Sequence, residues 1–214
     1  MSIKAIETQY KGYRFRSRLE ARWAVFFDTL GVKWQYEVEG YEKSGWYMRG
    51  EVEKTVRYLP DFYLPGTGTW VEVKGTTEAL RKEACDLDHF LDYGCPLPGF
   101  DNGKFNSWKV PGLLLLGDIP EPRFGLTLHP IARHAKGLSL HWAYFQPRSG
   151  VRFISQYDEV STFFCARKMP HDDYNPASWF VESVSIPTTH AYPEVEAAYR
   201  AARSARFEFG ETPK

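Results

Sequence analysis

Only three of the 214 residues are cysteine, Cys85, Cys95 and Cys165, and no two stand in CxxC spacing. An odd, scattered set builds neither a disulfide frame nor a zinc ribbon and favours reduced thiols in a cytosolic setting. No uninterrupted apolar run approaches the about 20 residues that a membrane helix requires. The run from Leu113 to Leu116 is the size of a buried strand. The first fifteen residues carry no apolar h-region, so neither a secretory signal nor a membrane partner is expected. Net charge is missing as well: 27 basic side chains balance 27 acidic ones. Composition alone therefore gives no sign of a polyanionic partner.

What is present is ordinary globular material, 43% hydrophobic and 25% charged, which excludes disorder or a coiled coil as the description of the whole chain. The length suits one large domain with its own core. The basic residues are unevenly spread. Lys4, Lys11, Arg14, Arg16, Arg18 and Arg22 crowd the first 22 residues against Glu7 and Glu20. Arg200, Arg203 and Arg206 recur at helical spacing near the other end. Salt screening makes attraction local, so two such patches can hold a polyanion on a neutral protein. Lys11, Arg14, Arg16, Arg18, Arg200 and Arg203 are accordingly candidate phosphate contacts, with solvated surface charge as the competing reading.

Periodicity predicts a helix over 17–30, with Leu19, Trp23, Phe26, Phe27 and Leu30 on one face and Gly31 as its stop. A strand is expected over 33–38, a loop or irregular hairpin over 41–54, and β-type runs over 56–64 and 69–74 around Pro65-Gly66-Thr67-Gly68. A second helix over 77–93, a loop over 97–109, a buried strand at 113–116, a hairpin from 138–145 to 151–155 and a closing helix over 193–207 complete the pattern. The expected architecture is one α/β domain: helix, three-stranded meander, helix and strand over 1–120. Residues 121–214 elaborate it with β elements and a C-terminal helix.

The chemistry gathers where Tyr58-Leu59-Pro60-Asp61-Phe62-Tyr63-Leu64 meets Trp70-Val71-Glu72-Val73-Lys74. Folding these strands about the 65–68 turn opposes Leu64 to Thr69, Tyr63 to Trp70, Phe62 to Val71 and Asp61 to Glu72. Opposed residues share a face with Cβ atoms about 5 Å apart, so the two carboxylates repel unless a cation joins them. Period two puts Lys74 on the face of Glu72. Two acids and a lysine suit a hard divalent ion such as Mg²⁺ or Mn²⁺ beside an attacked phosphate. An E-x-K pattern alone reads better as a solvated acid–lysine pair; Pro-Asp at the matching cross-strand position reverses that balance.

This stretch resembles the PD-(D/E)xK nuclease superfamily, with Pro60-Asp61 as the PD and Glu72-Val73-Lys74 as the ExK, ten residues apart. Ser17-Arg18-Leu19-Glu20 is similar to the S-x-x-E helix of members akin to the phage junction-resolving and transposon-end nucleases. The phrase around it looks like that of phage-type nucleases. The resemblance covers residues 10 to about 93. It implies a restriction-endonuclease-like core and a Mg²⁺-dependent endonuclease acting on duplex or branched DNA, phage- or mobile-element-encoded and working in the host cytosol. Asp61, Glu72, Glu20 and the Val73 carbonyl would hold the metal, and Lys74 would engage the water. Paired cuts would suit a homodimer. Glu20 has a second explanation, because Ser17 with Glu20 three residues on is a capping box. The competing function is a nucleic-acid-binding or protein-interaction module that keeps the fold without cleavage. RNA or a junction as substrate, or an inhibitor or structural role, are further alternatives.

Overall fold

The computed structural model describes residues 5–46, 53–82, 97–98, 112–121, 125–134, 138–153, 184–186 and 192–207. Ser17 caps helix α1 (Arg18–Leu30): its backbone is extended (φ −143°, ψ 157°) and its hydroxyl accepts from the Glu20 N–H. Gly31, at φ 73°, ends the helix in a left-handed turn. Its N–H donates to the Asp28 carbonyl and that of Val32 to the Phe27 carbonyl, which satisfies two of the last four carbonyls. Ahead of α1 lies a hairpin that the sequence reading did not anticipate, β1 (Thr8–Tyr10) and β2 (Tyr13–Phe15). Its two-residue turn, Lys11 and Gly12 at φ 48° and 82°, has the positive φ pair whose twist matches that of paired strands.

The main sheet is mixed and eight-stranded among the described residues, with the path β11-β10-β9-β8-β7-β6-β3 and β12 added to β9. The strands β3 (Gln35–Tyr36), β6 (Phe62–Leu64) and β7 (Thr69–Val73) form the antiparallel meander. Its register joins Leu64 to Thr69, Tyr63 to Trp70 and Phe62 to Val71, as the turn chemistry predicted. Residues 77–82 are helical and lie on the crossover to β8 (Gly112–Leu116), which runs parallel to β7. The rest of the expected 77–93 helix, the 99–109 loop and all three cysteines lie outside the described residues. β9 (Leu126–His134), β10 (Leu138–Gln146) and β11 (Gly150–Phe153) continue the sheet antiparallel, and β12 (Val184–Ile186) pairs with β9. The closing helix α2 is Pro193–Ser204, with proline in its first turn. The fold is thus mixed α/β, with a large mixed sheet and a C-terminal helix.

Two expectations change. The stretch 56–64 is not one strand: β5 (Glu53–Tyr58) pairs with β4 (Tyr41–Trp46) in a separate two-stranded ribbon, and β6 begins only at Phe62. Pro60 has no N–H to give a ladder, which breaks the run there. The stretch 41–54, expected as a loop or irregular hairpin, contributes a regular ladder to that ribbon.

β7 and β8 are buried along their whole lengths, as central parallel strands covered on both faces are. Phe62, Val71, Val73, Leu114 and Leu116 belong to the core that α1 and α2 cover. Within it Phe27 meets Phe62 edge-on at 5.4 Å, and Phe26 stacks on Tyr199 at 4.6 Å. Trp70 alternates to the other face, where Tyr63 lies 4.4 Å and Tyr41 5.3 Å away. None of the described helices is long and apolar enough to cross a membrane.

Candidate functional site

Three carboxylates are buried at the end of the sheet reached by the C-termini of β7 and β8. Glu20, Asp61 and Glu72 are 6%, 2% and 3% exposed. They arrive from separate segments: the first turn of α1, the residue before β6, and the next-to-last residue of β7. A carboxylate on a central strand is costly to bury unless its oxygens are matched. Each of the three is.

Asp61 lies one residue beyond the β6–β7 ladder. Its Oδ2 accepts the Val73 N–H at 2.7 Å, so the side chain takes the place that a longer β6 would have filled with a carbonyl. Its Oδ1 accepts from the Arg16 guanidinium at 2.5 Å. Glu72 accepts from the Tyr58 hydroxyl at 2.8 Å and pairs with the Lys74 ammonium, which therefore lies on its face of the strand. Glu20 closes the capping interaction in altered form. Its Oε1 accepts from the Ser17 hydroxyl at 2.7 Å; its Oε2 accepts from the Tyr36 hydroxyl at 2.6 Å and from the Arg16 N–H at 3.1 Å. The capping reading of Glu20 is correct, and the same side chain also belongs to the acid group.

The electrostatics follow from this grouping. Asp61 is held well above the ordinary carboxylate range by burial first, then by Glu72, then by Glu20, against the opposing pull of the Val73 N–H and Arg16. Arg16 is held above its usual value: burial works against its charge, but Asp61 above all, with Tyr36, Glu37 and Glu20, outweighs it. Burial and the bond to Glu20 raise Tyr36. Glu37 sits at φ 42°, an uncommon backbone region for a residue other than glycine. Its N–H donates to the Asp61 carbonyl at 2.9 Å, and its carboxylate meets Arg16 Nε at 2.6 Å.

The expected basic contacts divide. Arg16 turns inward onto Asp61 and Glu37. Lys11 pairs with Asp28 at 3.0 Å, toward the other end of α1, and Arg14 pairs with exposed Glu7. Arg18 is exposed on the first turn of α1. Arg200 pairs with Glu196 at 3.6 Å. Arg203 donates to the Ile119 carbonyl at 2.8 Å and meets Glu121 at 3.5 Å. Ile119 follows β8 closely, and the Lys74 N–H donates to the Leu116 carbonyl, so Arg203 stands at the end of the sheet where Lys74 lies.

The sequence reading passed over Tyr36, Glu37 and Tyr58. Their signal was there: extending the meander register opposes Glu37 to Asp61, and Tyr58 is the last residue of the run before Pro60-Asp61. Of the histidines, His129 is fully buried with Nε2 2.6 Å from the Tyr199 hydroxyl. His171, Asp172, Asp173 and Trp179 lie outside the described residues.

Oxygen donors of this kind, packed so that Glu72 and Glu20 both act against the charge of Asp61, fit a hard divalent cation in chemistry. In the present arrangement protein donors occupy them. Among the described residues no three His, Cys, Asp or Glu side chains converge as a ready metal cage. Compared with known proteins, the chain matches no family model, no curated protein and no solved structure.

Proposed function

We propose that this protein is a Mg²⁺-dependent endonuclease that hydrolyses DNA phosphodiesters on a restriction-endonuclease-like core. One observation carries the reading: Asp61 lies within electrostatic reach of Glu72 and Glu20, and Lys74 pairs with Glu72, at the C-terminal end of two parallel strands. Open sheets of this kind commonly bind their ligands there. Burying three acids close together costs stability unless other charges offset it.

Asp61, Glu72 and Glu20, with the Val73 carbonyl, are the groups that would hold the ion, and a bound Mg²⁺ would supply charge neutralisation at the phosphate and a more acidic water. Lys74 presents an ammonium on the face of Glu72, where it would orient the attacking water by donating to it and stabilise the hydroxide formed when the water's proton passes to solvent. Tyr58 and Tyr36 fix the carboxylates of Glu72 and Glu20 by donating to one oxygen of each. Arg203 and Arg18 flank the same region as phosphate contacts. A homodimer acting in the cytosol on duplex or branched DNA completes the proposal.

The test is incubation with supercoiled plasmid, linear duplex, single strand and four-way junction, each with Mg²⁺, Mn²⁺ or EDTA. Metal-dependent cleavage of at least one substrate is expected. Binding without cleavage in either metal would favour a recognition module on the same fold.

A further inference from the structure

The side chain of Arg16 is 54% exposed, whereas that of Asp61, which it neutralises, is 3% exposed. It is the one arginine among the described residues joined to Asp61, and it also reaches Glu37 through Nε. Its main-chain N–H meanwhile donates to both Glu20 and the Tyr36 hydroxyl. The backbone of residue 16 is therefore fixed to the site while its side chain as a whole lies about half in solvent. Such a side chain can swing outward without unpacking the core. A permanent structural cation for a buried acid would be expected to be buried with it.

We infer that Arg16 is the site's built-in, displaceable counter-ion: an entering divalent cation takes its place at Asp61, and the freed guanidinium turns onto the phosphodiester of the substrate. This rests on the proposed metal-dependent function and adds an exchange of cations to it. The chemistry favours the second position, because a guanidinium matches phosphate oxygens in paired hydrogen bonds and a divalent ion answers the desolvated carboxylates better than one charge does. The exchange also means that the metal-free site is neutralised by the protein itself.

The test is calorimetric titration of Mn²⁺ into the wild type, Arg16→Met and Arg16→Lys at pH 8. Removing a competing charge next to Asp61 should tighten Mn²⁺ binding in Arg16→Met by about tenfold, with Arg16→Lys between the two. If Arg16→Met does not fold, Arg16→Lys carries the comparison. Equal or weaker binding in the variants, with the wild type still binding Mn²⁺, overturns the exchange and leaves the metal site standing. No binding by any of the three overturns both. A second arm uses the Lys74→Ala background, so that a duplex stays intact. There Arg16→Met should weaken binding in Mn²⁺ and lower the slope of log affinity against log salt by about 1. An unchanged slope excludes the phosphate contact.

Discussion

Two polar clusters are buried along α1, and they are built on opposite principles. One turn of the helix separates Glu20 from Trp23, whose ring meets His129 at 5.7 Å. On the His129 side the imidazole is kept neutral. Burial lowers it to about 3, and the Tyr199 hydroxyl supplies a partner. On the Glu20 side three acids are buried together, with Arg16 and Lys74 at the rim as compensation. The first cluster is how a protein buries polarity for the sake of the core; the second accumulates charge that the core would be easier to build without. Under the proposed function, that concentration of repulsion is where an external cation would be held.

The difference is sharpest in turnover. Lys74→Ala leaves the acids in place, so cleavage should fall by about a thousandfold in single-turnover assays while Mn²⁺ binding survives. Tyr199→Phe should do the reverse, lowering stability by ~1 kcal/mol in urea unfolding and leaving cleavage unchanged. Reversal of these two effects would exchange the roles assigned to the clusters.

Glu20→Gln lies between them. Glutamine keeps the size of the side chain and is allowed at this capping position. Its amide keeps one acceptor, however, where the carboxylate now answers Ser17, Tyr36 and the Arg16 N–H. A stability loss of ~1 kcal/mol is expected, together with a fall in cleavage of about a hundredfold. Full activity would return Glu20 to capping alone.

The meander was readable because its turn chemistry fixes the register, and the opposition of Tyr63 to Trp70 follows from four turn residues. The caps of α1 were equally plain in Ser17 and Gly31. The ribbon was harder to see: Tyr41–Trp46 is polar on both faces and shows no alternation to read. β9 was hidden by Pro130, which argues against a strand. It is tolerated there because it falls between the stretches of β9 paired with β12, 126–128, and with β8, 131–133. At the site, strand period puts Lys74 on the face of Glu72, and the turn register brings Asp61 beside them although it lies one residue beyond the β6 ladder. The inward turn of Arg16 was not legible: a sequence displays a charge but not the acid 45 positions away that captures it.

A separate effect is expected in pH dependence. In the unfolded chain His129 titrates near ~6.5, against about 3 in the fold, so the unfolded state binds the extra proton between those values. Stability from this group is complete above about 6.5 and declines as pH falls toward 3. His129→Gln, which preserves a polar partner for Tyr199, should flatten that acid limb of the urea-unfolding profile. An unaltered limb would assign it to other groups.

The central claim is that the acid cluster trades stability for a divalent cation, and Asp61 tests it most directly. Its folded pKa is raised, so its contribution is present below the unfolded carboxylate value and is lost as pH rises through the folded one. Ionising this side chain therefore costs the metal-free fold more than it costs the unfolded chain. Asparagine retains an oxygen for the Val73 N–H without that charge. The decisive measurement is the melting temperature of the wild type and Asp61→Asn at pH 7.5, with EDTA and with millimolar Mn²⁺. The metal-free variant should melt above the metal-free wild type, and Mn²⁺ should raise the wild type by several degrees while leaving the variant nearly unmoved. A wild type indifferent to Mn²⁺, or a variant stabilised as much as the wild type, would contradict the account.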